Sequence, residues 1–181
     1  MLLHVLQSIE KEIYMAKKEL VITLVKTELV YEVQNKTHLT GISRDNGNNF
    51  EQVANMQMGD DEEHKNQILR SLGDAYRELK TKMSNYLVGN TDKSNDIQEV
   101  EDGDFKLTLK MPSNFNQAVL DSIAAACHRY LVNTAICDWF MITNPNEAKN
   151  YADLAAIAIQ SIRESVNKRI IPTRVVPNVS E

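Results

Sequence analysis

The feature that most constrains this chain is a long apolar region, residues 113–170, that is interrupted once, at Thr143-Asn144-Pro145. Before the interruption, apolar and small side chains recur at alternating spacings of three and four, which places them on one stripe of a helix. These residues are Leu120, Ile123, Cys127, Tyr130, Thr134, Cys137 and Met141. Towards its end this helix becomes apolar almost all round, so it must be covered on every side and should form the core.

A second helix is predicted directly after the interruption. Asn144 can cap it, Pro145 suits its first turn, and Glu147 stands where a capping box needs an acidic residue. Its apolar stripe is Ala148, Ala152, Ala155, Ile159, Ile162, Val166 and Ile170. The pattern therefore predicts helices over 114–143 and 145–170, with Ser113 or Asn114 capping the first, packed as an antiparallel hairpin that Pro172 ends.

The 181 residues fit a single domain, 1–181, large enough to bury about 70% of its unfolded surface. Cys127 and Cys137 lie ten residues apart on one rigid helix, too far apart to bond to each other, and are expected to be small core residues. The formal charge of −5 argues against wholesale nucleic-acid binding. With neither a signal peptide nor a run of membrane-spanning length, the expected location is cytoplasmic, or within a virion.

The amino-terminal third mixes two periodicities. Leu2, Leu6, Ile9, Ile13 and Ala16 have helical spacing, which predicts a short helix ending near Lys17-Lys18. The two runs Leu20-Ile22-Leu24 and Leu29-Tyr31-Val33 alternate at period two, which predicts two strands within residues 19–34. Continuation of the first helix through Leu20 and Leu24 is the alternative, because periodicity does not decide between the two in short apolar runs.

The middle of the chain carries a loop, a short helix and a third long helix. Gly41 to Asn49 has loop composition, and Phe50 to Met58 has the pattern of a short helix. A capping box at Asp60 and Glu63 opens a helix over 61–88, whose apolar stripe is Ile68, Leu72, Ala75, Leu79, Met83 and Tyr86. Gly73 inside this helix suggests a close crossing with another helix.

The segment between the second and third long helices is acidic, then strongly alternating. Residues 89–103 carry many carboxylates and few apolar side chains, which is typical of a flexible loop. Residues 104–111 then alternate apolar and polar side chains, the clearest strand pattern in the chain. Because an isolated strand leaves its backbone groups unpaired, this strand should pair with the 19–34 region. The carboxyl end, 172–181, is predicted to be a short tail.

The predicted fold class is therefore α+β, mainly α. It consists of a helical bundle, with three long helices and a short amino-terminal helix, and a small antiparallel β element.

Candidate catalytic residues are few. Cys127 and His128 are adjacent on a helix and point about 100° apart, so they are poorly placed to act on one atom. His4, His38 and His64 are isolated, no metal-ligand spacing is present, and no cofactor is indicated. Asp138 interrupts the most apolar stretch and is the one candidate functional acid; a salt bridge to Arg129 or Lys149 is the competing structural explanation.

The carboxyl end is locally basic, through Arg163, Lys168, Arg169 and Arg174. These side chains can complement a helix terminus. They are also a candidate interaction surface for an acidic partner or for nucleic-acid phosphates, although no aromatic side chains are interleaved to stack on bases.

One resemblance rests on residues about 105–170. Met111-Pro112-Ser113-Asn114-Phe115, then Asp138-Trp139, Ile142 to Pro145 and Ala148-Lys149, resemble small uncharacterised proteins of prophage and mobile-element regions. A helical domain with a small β element is also similar to head–tail connector or completion proteins of tailed phages. The resemblance implies a role in virion assembly and transfers no catalytic or binding residue.

These observations favour a non-enzymatic assembly protein that acts in a homo-oligomer or with other virion proteins, without membrane contact. Two alternatives remain open. The first is a small enzyme whose site forms around Asp138 only in the fold. The second is a nucleic-acid-associated regulator that uses the basic carboxyl end.

Overall fold

A computed structural model describes residues 17–88 and 103–171. Its strands are β1 (Lys18–Leu24) and β2 (Phe105–Met111). Its helices are α1 (Lys26–Ser43), α2 (Phe50–Met56), α3 (Glu62–Lys82), α4 (Leu120–Thr143) and α5 (Pro145–Val166), with a 3-10 turn at Gln117–Val119 before α4. The fold is mainly helical with one small antiparallel sheet, as predicted, but the described residues hold five α-helices where four were expected.

The sheet pairs β1 with β2 in antiparallel register, from Lys18 opposite Met111 to Leu24 opposite Phe105. Every second side chain of each strand is buried, because successive side chains of a strand point to opposite faces and only one face meets the helices. The predicted pairing of 104–111 with the 19–34 region is confirmed. On its other edge β2 receives the backbone of Tyr86 and Val88, so its ladder groups are paired on both sides along this stretch.

The second predicted strand, Leu29 to Val33, is wrong: these residues belong to α1. Leu29, Val33, Thr37 and Gly41 are spaced by four and form its buried stripe, whereas Tyr31 is 64% exposed. A helix satisfies its backbone groups internally, while a strand here would have needed another partner strand. The predicted loop begins later than Gly41, at Arg44, and the predicted short helix after it is confirmed as α2.

The long helices α4 and α5 form the predicted hairpin, with Asn144 as the single residue between them, and pack along their lengths. The buried face of α4 includes Leu131, Ile136, Trp139 and Phe140, so the core lies where the apolar pattern placed it. The helix begins at Leu120 rather than at 114. Phe115 is fully buried and its backbone pairs with Arg169, while the Asn116 side chain caps the 3-10 turn.

Three predicted helix ends need correction. Asp61, not Asp60, caps α3 by accepting a hydrogen bond from the backbone of His64. That helix ends at Lys82 rather than 88, because Tyr86 and Val88 pair with β2. The helix α5 ends at Val166 rather than 170, since Arg169 and Ile170 pair with the segment before α4.

The predicted capping box at the start of α5 is absent. Asn144 occupies the cap position and Pro145 the first turn, but the Asn144 side chain accepts no hydrogen bond from the backbone of its own helix. Its amide nitrogen instead donates to the Met56 sulfur at 3.2 Å. Glu147 turns outward to Arg44, at 2.6 Å, and so links α5 to the end of α1. Contacts with other helices therefore replace the capping hydrogen bonds that the sequence predicted for these two side chains.

The close approach between helices lies at Gly41 and not at Gly73. A Cβ on Gly41 would lie 2.8 Å from the Gln57 side chain and 3.2 Å from the Val53 carbonyl oxygen. Because glycine has no Cβ, α2 can pack directly against the backbone of α1 at this position. A Cβ on Gly73 would meet, within 4 Å, only the Arg77 side chain of its own helix. The acidic segment up to 102, the tail 172–181 and residues 1–16 of the amino-terminal helix fall outside the described residues, and Lys18 belongs to β1.

Candidate functional site

Two grooves are the candidate functional sites of the described part of the chain. The first, here called the amide groove, lies where α2, α3 and the end of α4 meet and has a volume of about 500 Å³. Its lining residues are Ala54, Asn55, Gln57, Glu63, His64, Gln67, Trp139, Ile142 and Thr143. The volume lies in the range of about 300–1,000 Å³ that is usual for ligand pockets.

Trp139 forms the fixed wall of the amide groove. Its side chain is 7% exposed, and the indole N–H donates to the Met56 carbonyl oxygen at 2.9 Å, which ties α4 to the end of α2. The His64 ring meets the indole edge to face, with ring centroids 4.9 Å apart. The hydrogen bond and the ring contact together hold the Trp139 side chain in place.

His64 is positioned by the capped start of α3. Its Nδ1 lies 3.0 Å from the Gly59 backbone nitrogen and 2.9 Å from an Asp61 carboxylate oxygen. One ring nitrogen cannot serve both contacts in one protonation state. When Nδ1 is bare it accepts from Gly59, and when it carries a proton it donates to Asp61.

The rim of the amide groove is mostly neutral. Asn55, Gln57 and Gln67 bring amide groups that both donate and accept hydrogen bonds, and Glu63 is the one acidic side chain of the lining. Ile142 stands at the rim and is 73% exposed. Such a groove suits an apolar side chain flanked by backbone amides, that is, a segment of another protein chain.

A further apolar side chain extends this surface. Phe50 is 66% exposed and lies four residues before Ala54, so it occupies the same stripe of α2 as the groove lining. Exposed side chains of this size are costly to leave in water when they are grouped, and grouping of this kind typically marks an interface.

The second groove, here called the serine groove, lies between α1, α4 and α5 and has a volume of about 530 Å³. It is lined by Glu32, Ser122, Ala125, His128, Arg129, Ser161 and Ser165. Ser122, Ala125 and Arg129 follow one stripe of α4, and Ser161 and Ser165 stand one turn apart on α5. The hairpin packing thus brings together hydroxyl groups that are far apart in sequence.

Glu32 closes one side of the serine groove. Its carboxylate contacts His128 Nε2 at 2.6 Å and the Lys36 ammonium at 2.7 Å. Burial by itself would raise the pKa of Glu32, but the hydrogen bonds from Lys36 and His128 outweigh burial and leave this pKa below its usual value. Glu32 is therefore a carboxylate at neutral pH whose charge is already compensated.

Asp138 lies in neither groove. It is exposed on the side of α4 that faces α3, and its hydrogen-bond partner is Ser71, not the predicted Arg129 or Lys149. Partial loss of hydration raises the pKa of Asp138; the Ser71 hydrogen bond opposes this, and the charges of Asp74 and Glu78 raise the pKa further. The apolar pattern around Asp138 had suggested burial, but the helix turns this one position outward.

Of the four basic residues predicted near the carboxyl end, Arg169 has hydrogen bonds within the fold. The Arg169 guanidinium donates to the Val166 and Lys168 carbonyl oxygens and so completes the end of α5. Arg163 and Lys168 are exposed and form no ion pair within residues 17–88 and 103–171. Arg174 lies outside the described residues.

Both cysteines were predicted to lie in the core, and the structure confirms this for Cys127 but places Cys137 only partly buried beside the core. Cys127 is fully buried, and burial raises the pKa of its thiol to about 12, which keeps it protonated and unreactive. Cys137 is partly buried, and burial together with the Asp138 charge raises its pKa. Across the described ranges, no serine, threonine or cysteine side chain forms a hydrogen bond with a histidine.

The sequence offered little warning of either groove. His64 looked isolated because its partner Trp139 lies on another helix, and the three serines of the second groove come from two helices. The one local signal was the four-residue spacing of Ser161 and Ser165, which is common on exposed helix faces. Among the described side chains no group of three or more His, Cys, Asp or Glu is arranged to hold a metal ion.

Within the same described ranges, every helix is too short or too polar to cross a membrane. Comparison with protein families, with curated proteins and with solved structures finds no match for this chain.

Proposed function

We propose that this protein is a non-enzymatic assembly protein, a virion component of the phage or prophage head–tail connector type, that works in a homo-oligomer. In this proposal the amide groove of one copy receives exposed apolar side chains of the next. The sequence resemblance over about residues 105–170 supports the virion role, and the amide groove supports association.

The observation that carries the proposal is the position of two exposed apolar surfaces at opposite ends of the α4–α5 hairpin. Ile142 and the amide groove lie at the end where the hairpin turns. Ile170 and Ile171 lie beyond the carboxyl end of α5, and Ile171 is 87% exposed. A helix of this length separates the two ends by about 30 Å, so one copy cannot bring them together.

Two different surfaces that fit each other generate a head-to-tail contact between copies, which closes into a ring when the rotation allows it. The Trp139 wall and the amide rim suit an apolar side chain on a non-helical segment, such as Ile170-Ile171 after α5. Burial of such side chains contributes about 25 cal/mol for each Å² removed from water.

Light scattering over a concentration series tests this proposal with two charge substitutions. The unaltered protein should assemble, while Ile142→Glu and Ile171→Glu should each be monomeric at the same concentrations, because each places a charge in the contact. Ile157→Glu is the matched control: Ile157 is 62% exposed on α5 but belongs to neither surface, so assembly should persist.

Mixing the two monomeric variants separates the head-to-tail arrangement from other contacts. The groove of Ile171→Glu and the carboxyl segment of Ile142→Glu are both intact, so an equimolar mixture should form one-to-one dimers and stop there. An unaltered protein that stays monomeric at every concentration would refute the oligomeric role. Variants that fail to complement each other would refute the head-to-tail contact. Genes for a portal or terminase protein beside this one would support the virion role.

A further inference from the structure

The serine groove contains an arginine that nothing else in the described structure engages. Arg44 and Arg77 form ion pairs and Arg169 completes α5. Arg129 is exposed to solvent, forms no hydrogen bond or ion pair with any described residue, and lines the serine groove. An unpaired guanidinium in a concave site presents five N–H donors in a plane, which is the geometry that oxyanions accept.

The side chains around Arg129 can complete such a site. Ser122 on α4 and Ser165 on α5 line the same groove, and neither hydroxyl has a hydrogen-bond partner among the described residues. The Ser161 hydroxyl donates to the Ile157 carbonyl oxygen at 3.1 Å, so it offers the groove an acceptor. The two hydroxyl groups that remain free can donate to an anion or bind a ligand hydroxyl.

The charge balance of the groove favours an anion, although Glu32 lies in its wall. Lys36 and His128 both contact the Glu32 carboxylate, so that carboxylate is already compensated and Arg129 keeps its charge for a ligand. The first turn of α4 and the last turns of α5 both border the groove, and their dipoles act in opposite directions on an anion. Arg129 therefore gives the serine groove its net positive charge.

The volume of the groove decides the size of the ligand. At about 530 Å³ it falls among pockets that hold small organic molecules and exceeds what a bare ion fills. We propose that the serine groove binds a phosphate monoester of a small hydroxylated molecule, with the phosphate on Arg129 and the hydroxyl groups on Ser122 and Ser165. This site is separate from the amide groove and does not depend on the association proposed above.

Titration of the full-length protein with ribose 5-phosphate, followed by amide chemical shifts in NMR spectra, tests the proposal. Saturable shifts should appear around Ser122, Arg129 and Ser165. Ribose without phosphate should produce none, and inorganic phosphate should bind at least about tenfold more weakly than the ester, because it lacks the hydroxyl contacts.

Two matched variants decide whether Arg129 is the anchor. Arg129→Met should weaken ribose 5-phosphate binding about tenfold or more, as expected for loss of a charge-assisted contact. Arg70→Met, which removes an exposed and equally unpaired arginine of α3 outside both grooves, should leave binding unchanged. Binding that is absent at millimolar ester, equal in Arg129→Met, or lost equally in Arg70→Met would overturn the proposal.

Discussion

The helices α1 and α4 reach the same secondary structure by different routes. In α4 nearly every position from Leu131 to Phe140 is buried or partly buried, so the helix is covered on most sides. In α1 one stripe, from Leu29 to Gly41, is buried and the rest meets solvent. The comparison teaches that extended apolar content predicts a helix reliably, while a thin stripe does not.

The weak pattern of α1 has a physical cause. Leu29, Tyr31 and Val33 alternate as a strand would, and Leu29 and Val33 also stand four residues apart as a helix requires. In a strand Tyr31 would share the buried face with Leu29 and Val33, and its exposure, which rules this out, is visible only in the structure. Packing of α1 on α4 and α2, including the contact at Gly41, decides between the two structures.

The largest expected effect tests the covered helix. Trp139→Ala should lower the free energy of unfolding by about 3–5 kcal/mol, because it opens a cavity beside α2 and leaves the Met56 carbonyl oxygen without its donor. Chemical denaturation followed by circular dichroism measures it. Trp139→Phe, which keeps a ring but loses the indole N–H, should cost clearly less. A loss below about 1 kcal/mol for the alanine variant would mean that Trp139 is not part of the core.

A pair of substitutions in α1 tests the choice between helix and strand. Leu29→Ala should cost about 2–4 kcal/mol, since Leu29 is fully buried. Tyr31→Ala should change stability by no more than about 0.5 kcal/mol, since Tyr31 is exposed. A strand would place both side chains on one face and make both substitutions costly. Similar losses in the two variants would therefore contradict the helix.

The smallest expected effect concerns Asp138, the one exposed break in the apolar α4 pattern. The pKa of Asp138 is raised in the folded state, so the folded protein binds the carboxyl proton more tightly than the unfolded chain does. The stability that this proton contributes is fully present at low pH and is lost as the pH rises through the folded-state pKa. Asp138→Asn should therefore stabilise the protein at pH 7 by about 0.5 kcal/mol or less, since the site is exposed. Urea melts at neutral and acidic pH test the sign: the difference should vanish once Asp138 is protonated. A destabilised variant at pH 7 would show that the carboxylate is needed.

The residues of the hairpin illustrate how much of the fold could be predicted. Leu120 to Met141 and Ala148 to Val166 form helices because their own spacing leaves one arrangement that buries the apolar side chains. The strand Phe105–Met111 was equally legible from its alternation. Helix ends were harder to predict. Asn144 and Glu147 are residue types that form capping boxes, but in the structure they contact Met56 and Arg44.

The candidate sites were beyond prediction because their residues meet only across helices. Asp138 was chosen for its apolar neighbours in sequence, but its exposure depends on the direction in which the packed helix turns it. The amide groove joins His64 to Trp139, and the serine groove joins Glu32, Arg129 and Ser165. The spacing of residues along the chain gives no information on distances between side chains of different helices.

The sequence by itself determined the long helices of the hairpin and the strand Phe105–Met111, because the periodicity of hydrophobic residues is a local property that burial enforces. The tertiary structure alone decided that Leu29 to Val33 is helical and where the two grooves form. It also decided that Asn144 and Glu147 contact other helices instead of forming a capping box. Those outcomes depend on contacts between residues far apart in the chain, where the competing local structures differ by about 1 kcal/mol and packing outweighs them.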